Sequence, residues 1–173
     1  MITNKKLFLF FITNKIDFMI QRVQTLYLFF IVVISIVLFF VPLIEFVNGD
    51  SVFSLNILGL EFENQENTIS ISTFPLIVIN SLIIVLTSIC IIIFKNRNLQ
   101  IKICKINLFL LSAFLIFTVM YSTQIEEKLG DKGLNTSFGL GIILPIISII
   151  LTYLAIRGIK KDQELIRSVD RIR

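Results

Sequence analysis

Phe74 to Phe94 reads FPLIVINSLIIVLTSICIIIF, twenty-one residues without one Asp, Glu, Lys or Arg. A helix rises about 1.5 Å per residue and the hydrocarbon core of a bilayer is about 30 Å thick, so this stretch has the length of one crossing. Backbone amides in lipid must bond within their own segment, which makes a helix the expected form. Leu26 to Ile44, Ile106 to Ile125 and Leu134 to Ile156 are equally free of charge. The expected fold class is therefore an all-α membrane protein, a four-transmembrane-helix bundle.

The whole chain agrees with that reading. Of its 173 residues 55% are hydrophobic and 16% charged, and the mean hydropathy is +0.91, outside the range of an ordinary soluble domain. Histidine is absent, which removes the commonest general base and transition-metal ligand. No signature of catalysis, cofactor binding or metal binding stands out, and a non-enzymatic protein without a cofactor is expected. Cys90 and Cys104 are too few for a disulfide scaffold and read as free thiols.

Charge sets the orientation. Fourteen of the sixteen basic residues fall in the first segment, the second loop and the tail. The first loop holds Glu45, Asp50, Glu61, Glu63 and Glu66 with no Lys or Arg, and the third holds Lys128 and Lys132 beside three acids. Basic residues in short loops favour the cytoplasm, so both ends are expected there. The bilayer is the obligatory partner, a protein partner or a second copy is a candidate, and no nucleic acid is expected.

The first loop, about Glu45 to Thr73, carries extended patterns over Val52 to Leu60 and Thr68 to Thr73, with Asn48 and Gly49 as turn residues. A small extracytoplasmic β-hairpin is expected, followed by a helix start at Thr73 with Pro75 in its first turn. In the tail, Leu165, Val169 and Ile172 repeat at helical spacing among charges, predicting an amphipathic C-terminal helix that continues the fourth span into solvent or along the headgroups.

Several faces are candidates for function. In the fourth span Gly141, Pro145, Ser148, Thr152 and Ala155 follow at steps of four and three, a stripe that lets helices pack closely, within the bundle or against a partner. Pro145 should kink that helix. Asn80 and Thr87, and Ser81 and Ser88, offer hydrogen bonds between helices. With no ionisable residue inside a span, ion-driven transport is disfavoured. Glu61, Glu63 and Glu66 are carboxylates that could act on the outer face, but their spacing fits no calcium loop. Asn135, Thr136 and Ser137 match the weak glycosylation sequon. Polar residues at the two ends, Gln21, Arg22 and Gln24 with Asp162, Glu164, Arg167, Asp170 and Arg171, are the candidate partner surface.

The opening MIQRVQTLYLFF from Met19 and the close AIRGIKKDQELIRSVDRIR resemble the ends of a family of four-span bacterial membrane proteins, domain of unknown function 4293, common in the Bacteroidetes group. The similarity runs from about residue 19 to 173 and includes the extended first loop and the Ser72 to Pro75 entry. It implies a plasma membrane location in a Gram-negative cell and no activity. The family pattern starts at Met19, so residues 1–18, with the short apolar run Leu7 to Ile12, are expected to be either an N-terminal extension or the result of a start set too early, with Met19 the true first residue, ahead of a single domain over 19–173.

Overall fold

The computed structural model describes residues 23–48, 51–62, 72–94, 96–129 and 135–171. The chain runs α1 (Val23–Val37), β1 (Ile44–Asn48), β2 (Ser51–Asn56), β3 (Gly59–Phe62), α2 (Phe74–Ile92), α3 (Arg97–Leu129), β4 (Asn135–Phe138) and α4 (Leu140–Arg171). Residues 1–18, the Asn48–Gly49 turn and the extended pattern beginning at Thr68 fall wholly or partly outside the described residues.

Three helices are long and apolar enough to cross a membrane: Phe74–Ile92, Arg97–Glu127 and Leu140–Glu164. Their most apolar windows have mean hydropathies of 2.6, 2.1 and 2.2, yet only 28%, 28% and 33% of each is buried inside the protein. Val78, Leu82, Val85, Phe109, Ile116, Ile146 and Ile150 all point outward. Water would penalise so much open apolar surface, and lipid does not.

The first helix departs from expectation. Leu26 to Ile44 is not one span: α1 ends at Val37, and Ile44 opens a strand. The last turn tightens, with Phe39 N–H donating to the Ile36 carbonyl and Phe40 N–H to Val37. Pro42 then lacks a donor and biases Val41 toward extended backbone, so the helix cannot resume. Similarly the fourth span starts at Leu140 rather than Leu134, because Asn135–Phe138 is a strand.

The segments left over from both spans enter one four-stranded antiparallel sheet of order β3-β2-β1-β4. The expected single hairpin is thus too small. Val52 to Leu60 is not one strand but most of a hairpin, with Leu55 opposite Leu60 and Asn56 opposite Gly59. β1 pairs with β2 on one edge and with β4, from the third loop, on the other. Side chains alternate as in any strand, so Ile44, Phe46, Phe53 and Leu55 share the buried face while Glu45, Val52 and Ser54 are turned away from it. That face joins the helices in one core cluster with Leu38, Leu76, Ile83, Leu111 and Phe114.

Helix boundaries follow local chemistry. Phe74 begins α2 after Thr73, with Pro75 in the first turn where a missing N–H costs nothing. The Thr73 side chain makes no capping hydrogen bond; its carbonyl instead accepts from Leu76 and Ile77. Asn96 caps α3, its Oδ1 accepting from Leu99 N–H at 3.3 Å. Most of the second loop is consequently helix, with Lys102 and Lys105 exposed on the first turns of α3. α4 passes through Pro145 and continues unbroken to Arg171, so the amphipathic tail is an extension of α4 rather than a separate helix.

Candidate functional site

The stripe Gly141, Pro145, Ser148, Thr152 and Ala155 lies on the buried face of α4. Gly141 makes the tightest approach: its N–H donates to the Pro42 carbonyl at 3.1 Å, and a Cβ there would stand 2.5 Å from that oxygen. Gly139 N–H donates to the Leu43 carbonyl at 3.1 Å. Together these bonds lock the α1–β1 connection onto the start of α4. Ser148 and Thr152 spend their hydroxyls within α4, on the carbonyls of Leu144 and Ser148. They pack as small side chains and satisfy their own protons, which is how hydroxyl residues settle inside a lipid-embedded helix.

A polar column runs along the interior between α1, α2 and α3. Asn80 Nδ2 donates to the Ser35 carbonyl of α1 at 2.9 Å. One turn pair further, Asn107 Nδ2 of α3 donates to Thr87 Oγ1 at 3.0 Å, and Thr87 donates to the Ile83 carbonyl. Nearest the tail end, the thiols of Cys90 and Cys104 lie 3.3 Å apart, and Gln100 Nε2 donates to the Cys90 carbonyl. Both cysteines are free and buried. Ser35 Oγ, Asn80 Oδ1 and Asn107 Oδ1 are buried and take no hydrogen bond from the protein. The Asn80–Thr87 face therefore points inward, whereas Ser81 is exposed and Ser88 bonds back to Ile84.

At the end opposite the sheet the start of α1 meets the later part of α4. Gln24 Nε2 of α1 donates to Asp162 Oδ2 of α4 at 2.6 Å, across 138 residues of sequence, and both side chains are buried. A bond to a carboxylate at this distance is of the strong, charge-assisted kind. Gly158, one turn before Asp162, leaves room for the Gln24 side chain, which would lie 3.0 Å from a Cβ there. Gln163 Nε2 donates to Asn98 Oδ1 at 2.6 Å, tying α4 to the start of α3. Glu164 is exposed beside this cluster.

The structure thus divides the residues proposed as a partner surface. Gln24 and Asp162 face inward and bind each other; Glu164 faces outward. Arg167, Asp170 and Arg171 lie on the last turns of α4, and Gln21 and Arg22 lie outside the described residues. The distribution of Lys and Arg puts Gln24 and Asp162 on the same side of the membrane, but no local pattern signals their direct contact. The apposition of the two cysteines is equally invisible in the sequence, since only α2–α3 packing brings them together.

The acidic residues of the first loop offer little geometry. Glu61 lies in β3, and Glu63 and Glu66 lie outside the described residues. Among the described residues no group of three or more Cys, Asp or Glu side chains is placed to hold a metal ion. The sequon residues Asn135, Thr136 and Ser137 belong to β4, where Thr136 Oγ1 donates to Glu126 Oε1 at 2.6 Å and Ser137 Oγ donates to the Glu45 carbonyl.

A family model described as a domain of unknown function, DUF4293, matches residues 20–172. No curated protein matches the chain.

Proposed function

We propose, for a chain that belongs to the DUF4293 family, a non-enzymatic accessory or structural role in the bacterial inner membrane, exercised through its cytoplasmic ends on a protein partner. The observation that supports it is the buried bond between Gln24 and Asp162, which fastens the start of the first helix to the tail. Gln21 and Arg22 precede that joint in sequence, and Glu164, Arg167, Asp170 and Arg171 follow it on α4. A rigid joint would present these charges at one place, which lowers the ordering cost of docking. Homo-oligomerisation through the same end is the simplest form such a partner could take.

Crosslinking in native membranes from a photoreactive side chain at Glu164 tests this reading. A discrete adduct that disappears in the Gln24→Ala variant, which removes the joint and keeps the probe, is expected. Loss of phenotype on truncation after Gly158, with the remaining helices still inserted, points the same way. No adduct from any position after Asp162 would overturn it.

One observation favours a second reading, a small transport or channel subunit. The unpartnered oxygens of Ser35, Asn80 and Asn107 form part of a polar column among otherwise apolar helices. Under that reading Asn80→Leu abolishes a solute flux in vesicles while the protein still folds, and under the accessory reading it does not. A membrane enzyme working through Glu61, Glu63 and Glu66 is the weakest alternative, and replacing all three together without effect would remove it.

A further inference from the structure

The outward face of α4 carries one uninterrupted stripe with two characters. Ile143, Ile146, Ile150, Tyr153, Arg157 and Lys160 follow at steps of three and four, all of them exposed. Diametrically opposite on the same helix, Ser148, Thr152, Ala155, Ile159 and Asp162 are buried. The stripe therefore faces away from the protein along its whole length. Its lower part, from Ile143 to Tyr153, rises about 15 Å, which is the depth of one leaflet's hydrocarbon. Its upper part begins one helical turn later and is cationic.

At that upper end Tyr153, Arg157, Lys160, Lys161 and Glu164 line a groove of about 340 Å³. Three cations against one carboxylate give it a net positive charge. The Arg157 guanidinium presents a planar fork suited to two oxygens of one phosphate, and the two lysines add point charges on flexible stems. Tyr153 sits where the apolar stripe ends, the level at which tyrosine rings prefer to lie in a bilayer.

An apolar track one leaflet deep that leads into a cationic groove has the shape and polarity of a single glycerophospholipid. We propose that this face of α4 is a binding site for an anionic phospholipid of the adjoining leaflet, held by its phosphodiester in the Arg157–Lys160–Lys161 groove with an acyl chain along Ile150, Ile146 and Ile143. The charge complementarity of the groove and the alignment of the two parts on one face carry the assignment. It does not rest on the partner role, because it concerns the lipid-facing side of α4 and not the joint at Gln24 and Asp162.

The test uses the full-length protein in bilayers of phosphatidylcholine and phosphatidylglycerol in equal amounts, with native mass spectrometry of the lipid that stays bound. Wild type is expected to retain one phosphatidylglycerol in clear preference to phosphatidylcholine. Each cation near a membrane surface contributes about 5-fold to such a preference, so R157Q/K160Q/K161Q should lower it on the order of 100-fold. The variant K102Q/K105Q removes two exposed charges from α3 at the same membrane end and should leave the preference intact. A wild-type protein that does not discriminate the two lipids overturns the proposal. So does an equal loss in both variants, which would mean a diffuse surface effect. Displacement of the lipid by inorganic phosphate would show a site for the free anion and would equally overturn it.

Discussion

Gly141→Ala is the substitution that most directly interrogates how the sheet is fixed to the helices. The new methyl group would stand 2.5 Å from the Pro42 carbonyl oxygen, 2.9 Å from its carbon and 3.0 Å from Leu43 Cα. Carbon atoms in comfortable contact lie about 3.5 to 4.0 Å apart, so the connection must retreat by about 1 Å. It is poorly placed to do so. Leu43 is fully buried, its N–H donates to the Leu55 carbonyl at 2.8 Å, and its own carbonyl accepts from Gly139. Retreat also stretches the bond from Gly141 N–H to the Pro42 carbonyl. Overpacking of this kind costs about 1 to 3 kcal/mol, a weakened backbone bond adds about 1, and alanine's better helix propensity returns up to about 1. The net expectation is a loss of about 2 kcal/mol, roughly 30-fold in the folding equilibrium. Reversible unfolding in mixed micelles by titration with a denaturing detergent reads this directly. Gly158→Ala is the internal comparison, because the three atoms nearest its Cβ all belong to the Gln24 side chain and not to backbone, and that substitution should cost less than about 1 kcal/mol. If Gly141→Ala changed stability by less than about 0.5 kcal/mol, the size of an innocuous surface change, the close approach of α4 to Pro42 would be refuted.

Further outcomes follow from the interior bonds. Gln24→Ala leaves the buried Asp162 carboxylate without one of its donors and should destabilise the protein by about 1 to 3 kcal/mol in the same titration, with Asp162→Ala adding less than its own effect in the double variant. Asn107→Leu removes one bond between α2 and α3, and its cost should stay under about 1 kcal/mol, as for most such bonds in lipid. Mild oxidation with a membrane-permeant reagent should join Cys90 to Cys104 within one chain, seen as the loss of two hydrogens in the intact mass; Cys90→Ser abolishes it, and dimers in place of the internal link would contradict the α2–α3 packing. A reporter fused after Arg173 should be active only in its cytoplasmic form; activity outside would reverse the charge-based orientation.

Much of this molecule is legible from sequence because lipid imposes a one-dimensional rule. Uncharged runs such as Phe74 to Phe94 must be helical when water is absent, and the asymmetry of Lys and Arg is read from their positions along the chain alone. The tail helix was equally readable, since charges interleaved with Leu165 and Val169 at helical spacing need no neighbour to form one. Family membership also sits in the sequence, as the match over residues 20–172 shows.

What only the tertiary structure decided concerns pairs distant along the chain. Asn135–Phe138 carries no charge and so passes for the start of a span, and it becomes a strand because β1 offers an edge beside it. Ile44 likewise leaves the first helix for that sheet once Pro42 has ended the helix. Cys90 and Cys104 came to contact, and Gln24 met Asp162, through helix packing that no local pattern encodes. Hydropathy measures what a residue loses by leaving water. It carries no information about which partner receives a hydrogen bond, and that choice, made between segments up to 138 residues apart, belongs to the fold.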